Sequence, residues 1–146
     1  EPARLFVIQP LRPRAKPIRC EGIRFAFSDT HDHVAYVAGE PDRAYLAVDG
    51  AQVFPRNRKA RTTFASEPAW SKDGRAVAFL ETRPQGQRLV LLAALDDPSG
   101  DTTWDLPSAA AAHGLKVFWA GADKLVVGRV LGKPVLAVSF SVERPE

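Results

Sequence analysis

Three aromatic residues, Phe27, Trp70 and Trp119, stand 43 and 49 positions apart, and each opens the same short layout. Phe27-Ser28 leads through Asp29-Thr30-His31-Asp32-His33 into Val34-Ala35-Tyr36-Val37. Trp70-Ser71 leads through Lys72-Asp73-Gly74-Arg75-Ala76 into Val77-Ala78-Phe79-Leu80, and the two stretches align without a gap. Trp119-Ala120 leads through Gly121-Ala122-Asp123-Lys124 into Leu125-Val126-Val127, keeping the aromatic and the aliphatic run but losing the serine and the second aromatic. A recurrence of this length marks supersecondary units that cannot bury an apolar face alone and must stack on their neighbours.

The units are expected to be strands. Small and large apolar residues alternate in Val34-Ala35-Tyr36-Val37 and in Val77-Ala78-Phe79-Leu80, as suits a strand covered on both faces. Each anchor is followed by a hairpin whose loop contains proline, glycine or both. Val34–Ala38 turns through Gly39-Glu40-Pro41-Asp42 into Ala44–Val48, and Val77–Glu81 turns through Arg83-Pro84-Gln85-Gly86 into Leu89–Leu95. Leu125–Val130 turns through Leu131-Gly132-Lys133-Pro134 into Val135–Phe140. Asp49-Gly50 has the signature of a two-residue hairpin turn leading into Ala51–Phe54.

Little else competes with this reading. Ser108–Ala112, with Ser108 as N-cap and Gly114 as stop, is the one helical candidate, about one turn long. Arg4–Gln9 has strand character, and residues 10–18, with prolines at 10, 13 and 17, read as extended and loop-like. The longest apolar run, Leu89 to Leu95, is far short of the roughly 18 residues a membrane-spanning helix needs. The expected architecture is all-β, in one domain of 146 residues: a basic, proline-rich segment 1–23 and three blade-like repeats over 24–66, 67–114 and 115–141.

Glu67-Pro68-Ala69-Trp70-Ser71-Lys72-Asp73-Gly74-Arg75-Ala76-Val77-Ala78-Phe79 resembles the repeat of TolB-type (WD-repeat-like) β-propellers, whose pattern is Pro-x-Trp/Phe-Ser-x-Asp-Gly-Lys/Arg-x-aliphatic-Ala-Phe/Tyr. The resemblance extends more loosely to residues 24–66, where Thr30-His31-Asp32 replace the Asp-Gly-Lys/Arg turn, and most loosely to 115–140. It implies consecutive four-stranded antiparallel meanders of propeller-blade type and an exported, periplasmic location. Independently of any family, Gly74 can take a positive φ in the tight reversal, Ser71 or Asp73 can bond turn N–H groups, and Phe27, Tyr36, Trp70, Phe79 and Trp119 supply area for packing.

Three blades do not close a propeller, which usually needs at least four. A larger propeller, a pair of copies forming six blades, or a sandwich-like closure in which Arg4–Gln9 and the C-terminal strand cap the stack would each cover the exposed ends. The absence of methionine and the opening Glu-Pro-Ala-Arg lead to the expectation that the numbering begins inside a longer gene product.

Charge points to partners more than to chemistry. The net charge is +3, but residues 1–24 carry six basic against two acidic side chains, and residues 55–62 carry Arg56, Arg58, Lys59 and Arg61 with no acid. These four are the expected partner-binding residues, on an exposed connector. Aromatic residues do not interleave with the basic stretches, which argues against nucleic acid. Cys20 is a lone thiol, so no internal disulfide forms, and no Cys/His spacing suits zinc. His31-x-His33 is the best metal candidate, although by alignment it lies in a turn; Asp96, Asp97 and Asp101 could at most hold calcium weakly.

No Gly-x-Ser-x-Gly elbow and no phosphate-cradling glycine loop occurs, so no residue set supports catalysis and no cofactor is expected. The reading is a non-catalytic protein-binding or scaffolding module with a protein partner or a second copy of itself. The rival readings are an accessory propeller-like domain of a larger hydrolase-type enzyme, and a weak metal or small-molecule binder at His31 and His33.

Overall fold

Asp49 and Gly50 both take positive φ, 51° and 89°, and reverse the chain in two residues as their sequence demands. They join the last two strands of the first sheet in a computed structural model that describes residues 3–7, 18–30, 32–107, 114–129 and 133–140. That sheet runs β1 (Ala3–Val7), β2 (Ile18–Phe27), β3 (Val34–Glu40), β4 (Arg43–Val48), β5 (Ala51–Phe54), each strand antiparallel to the next. It has five strands where the repeat predicted four, because β1 adds to the free edge of β2. The register of β2 on β3 slips by one residue between Ile23 and Ala26, where Arg24 takes a φ of 57°.

The second sheet contains β6 (Thr63–Phe64), β7 (Ala69–Trp70), β8 (Val77–Arg83), β9 (Gly86–Leu92) and β10 (Thr102–Asp105). β6 and β7 lie on the same edge of β8, so together they form one interrupted strand of a four-stranded meander. At the interruption the Ser66 hydroxyl accepts the Leu80 N–H at 2.9 Å in place of a ladder carbonyl. The third sheet has three strands among the described residues: β11 (Lys116–Trp119), β12 (Lys124–Gly128) and β13 (Pro134–Ser139). The fold is thus all-β and antiparallel, with open sheets of three to five strands. The reversals are tighter than the sequence suggested: Pro41-Asp42 and Pro84-Gln85 alone separate their strands. The helical candidate Ser108–Ala112 lies outside the described residues.

Alternation places the core. From β8 and β9, Val77, Phe79, Val90 and Leu92 face the first sheet, meeting Ala35, Val37, Leu46 and Val48. Ala78, Leu80, Leu89 and Leu91 face the third sheet, meeting Val117, Leu125 and Val127. All eight residues of the middle sheet are at most 2% exposed. Burying each larger one contributes about 1.5–3 kcal/mol. The two seams share a tie. The Trp70 indole Nε1–H donates to the Ala26 carbonyl at 2.8 Å, and the Trp119 indole donates to the Ala69 carbonyl at 3.0 Å. In each case the acceptor immediately precedes the anchor aromatic of the previous repeat.

The turns repeat as well. Ser28 N–H donates to the His33 carbonyl and His33 N–H returns to Ser28 Oγ; Ser71 and Ala76 exchange the same two bonds. Within the second turn Gly74 has φ 73°, and Asp73 Oδ1 accepts from Ser71 Oγ and from Arg75 N–H. In the third repeat the turn is one residue shorter, closed by Ala120 N–H on the Lys124 carbonyl. One expectation is corrected: Phe27, counted as core, is 49% exposed. It heads the first repeat, on the face of its sheet turned away from the second sheet, whereas Trp70 is buried in the seam.

Candidate functional site

The basic connector after β5 divides by function. Arg56 is drawn inward: its Nε and Nη2 fork onto the Asp101 carboxylate at 2.8 and 2.6 Å, while Nη1 and Nη2 reach the Leu95 and Ala94 carbonyls at 2.6 and 3.0 Å. The Asp101 hydrogen bond raises the Arg56 pKa above its ordinary value, against partial burial. Arg56 is therefore a tie between the connector and the loop after β9, not the exposed loop charge the sequence suggested. Its position beside Ala94 and Leu95, whose carbonyls lack strand partners, is the physical reason.

Arg58 and Lys59 are exposed, with Lys59 N–H bonded to Asn57 Oδ1. Arg61 is exposed too, but its Nη1 serves Gln52 Oε1 and the carbonyls of Arg58 and Ala60, and its guanidinium lies 4.6 Å from the Tyr45 ring centroid.

Of the histidine pair, His31 lies outside the described residues. His33 Nδ1 sits 2.6 Å from Asp49 Oδ2, and Asp49 Oδ1 accepts the Val34 N–H at 3.0 Å. The His33 ring stacks on Trp70 with centroids 6.0 Å apart. Among the described residues no group of three His, Cys, Asp or Glu side chains has the geometry to hold a metal. The acidic loop disperses: Asp97 caps the 3-10 turn Pro98–Gly100 and Asp101 serves Arg56.

That loop instead walls a cavity of about 590 Å³ at one end of the seam between the second and third sheets. Leu91, Leu95, Trp119 and Phe140 supply its apolar surface, and Trp119 meets Phe140 edge to face with centroids 5.8 Å apart. Asp73, Asp96 and Asp97 stand around it against one guanidinium, Arg75, with His33 also in the lining. The Ser99 hydroxyl and backbone N–H hold the exposed Asp97 carboxyl below the ordinary aspartate value.

Sequence reasoning missed Glu81, a carboxylate only 2% exposed. Thr62 Oγ1 and Arg88 Nε donate to it, and Arg88 is its cross-strand partner in the β8–β9 hairpin. The hairpin register, once drawn, would have revealed the pair. The buried serines Ser28, Ser66 and Ser71 all bond backbone groups of turns or ladders. No helix among the described residues is long and apolar enough to cross a membrane.

No family model, curated protein or solved structure matches the chain.

Proposed function

We propose that the chain is a stack of propeller-type blades acting as a non-catalytic protein-docking module, with a second copy or another protein completing the stack. One observation carries the reading: the third sheet turns an aromatic ring outward, Phe118 at 39% exposure, while the outer face of the first sheet is buried at Val34, Tyr36, Ala38 and Ala47 and exposes only the ring of Phe27, at 49%. Phe118 lies in register with Val126 and Ala137, so an apolar row crosses the outer face of the third sheet. Arg58, Lys59 and Arg61 add a basic edge suited to an acidic partner surface. The shared seam tie of Trp70 and Trp119, and the shared turn of Ser28 and Ser71, support the blade reading. The TolB-type resemblance supports an exported location, which cell fractionation of the tagged gene product tests.

The test of docking is light scattering across concentration. The wild-type mass is expected to rise with concentration, and Phe27→Ser and Phe118→Ser are each expected to suppress the rise. A chain that stays monomeric into the high-micromolar range removes self-association.

A further inference from the structure

We infer that the open edge of β13 accepts a short extended segment of another protein as a fourth strand, selected by an aromatic residue and the acid that follows it. The inference rests on the docking reading for the source of that segment, and on the edge for its chemistry. Among the described residues β13 pairs with β12 alone, whereas the third strands of the other two sheets, β4 and β9, each carry a fourth strand, β5 and β10. Phe140 N–H donates to the Asp123 carbonyl, so the alternation of an antiparallel ladder turns the N–H groups of Ala137 and Ser139 away from β12. No charged side chain lies on β13; its one guard against edge pairing is Pro134, where the register shifts.

The occupied edges show what fits. β5 and β10 are four residues long, and both set an aromatic ring at the same place, Phe54 opposite Leu46 and Trp104 opposite Leu89. Counted from the anchor pairs Trp70–Val77 and Trp119–Leu125, the matching position on β13 is Val135, beside Gly128. Gly128 stands where the other sheets carry Val37 and Leu80, so an incoming ring meets no side chain at that point. After its ring β10 has Asp105, opposite Arg88; at the matching end of β13 stand the exposed cations Arg129 and Lys133. The segment that satisfies all of this is Thr-Thr-Trp-Asp, the sequence of β10, with its threonines opposite Ala137 and Leu136. A second copy has no such strand to give, because its own β5 and β10 are already paired.

The experiment titrates the whole chain, at a concentration where light scattering shows a monomer, with the capped peptide Gly-Thr-Thr-Trp-Asp-Gly, followed by two-dimensional NMR. The peptide is expected to shift the amides of residues 136–139 with a dissociation constant of about 1 mM, as befits one short strand, and to slow exchange of the Ala137 and Ser139 amide hydrogens. Replacing the peptide Trp with Ala should weaken binding about fivefold. In β10 the Leu106 N–H donates to the Gln87 carbonyl, so the Trp104 N–H faces β9; a peptide N-methylated at its Trp loses the matching bond and should bind about tenfold more weakly. Ala137→Pro removes an N–H from the open edge and should weaken binding similarly, while the N-methyl peptide makes the same test without touching the fold.

Shifts centred on β9 would mean exchange with the chain's own β10 and would overturn the inference. So would Ala137 and Ser139 amides already protected in the chain alone, or full affinity in the N-methyl peptide. A rise in mass with concentration that Ala137→Pro abolishes and Phe118→Ser leaves intact would give the edge to a second copy, with the same consequence. Light scattering also separates the inference from the docking reading. Self-association without any peptide response removes the edge assignment alone. A peptide response in a chain that never associates leaves the edge assignment standing and removes self-association.

Discussion

Trp119 reaches back fifty residues to place its indole N–H 3.0 Å from the Ala69 carbonyl, and Trp70 makes the same reach to Ala26. The bond fixes one sheet against the next at the point where each repeat begins. Trp70→Phe and Trp119→Phe keep an aromatic ring but remove the indole N–H bond across the seam. Each is expected to lower unfolding free energy by about 1–2 kcal/mol in urea titrations. If the tie is a repeated element, the two losses should agree within experimental error; a large loss at one site and none at the other would show that the seams are not equivalent.

Arg56→Ala removes four bonds that link the connector after β5 to the loop after β9. The expected cost is about 1–3 kcal/mol. Arg58→Ser with Lys59→Ser should change stability by no more than about 0.5 kcal/mol. Thermal unfolding of the two variants side by side checks the division. The Arg56 pKa is raised on folding, so its stabilisation is complete below the ordinary arginine value and is lost only as pH rises through the raised one. The tie should therefore be insensitive to Arg56 ionisation across the neutral range.

Glu81→Gln leaves Arg88 and Thr62 facing a neutral amide in a site that is 2% exposed at Glu81. The expected loss is about 2–3 kcal/mol, because the Arg88 charge remains half-buried without its counter-charge. Chemical denaturation of the variant measures it, and recovery in an Arg88→Leu, Glu81→Leu pair would confirm that the stranded charge is the cause.

Gly22→Ala should be among the most costly small changes. A Cβ at this position would stand 2.2 Å from the Val37 carbonyl oxygen, a backbone atom that cannot swing aside. The expected cost is about 2–3 kcal/mol, read as a lowered melting temperature.

Acid should act late at the loop walling the cavity, after ordinary carboxylates have protonated. The Asp97 pKa is lowered by its bonds to Ser99, so the capped turn is intact above the ordinary aspartate range and opens as pH falls through the lowered value. Amide shifts of Ser99 and Gly100 should titrate below the range of an ordinary aspartate. A midpoint at or above that range would contradict the bond.

The hairpins were legible because each announces itself locally. Asp49-Gly50 can hardly do anything but reverse the chain, and the Val-Ala-aromatic alternation named both faces of β3 and β8 in advance. The Ser71–Asp73 turn chemistry followed from residue type alone. What escaped were relations between distant residues. Nothing near Arg56 signals that Asp101, 45 positions on, will claim it. Phe27 reads like Trp70, yet it is half exposed while Val34 and Tyr36 on its own face are buried, a difference that residue type does not signal. The cavity arises where three loops converge, and no single segment encodes it.

The doubly covered middle sheet also sets the order in which the molecule comes apart. β8 and β9 have no side facing water, so they cannot fray until a flanking layer has left. Amide hydrogens there, and in the equally buried β3, should outlast the others in deuterium exchange, with protection falling off toward the third sheet. Unravelling then proceeds from the outside in, and whatever clamps the two termini of the array governs how long the whole survives.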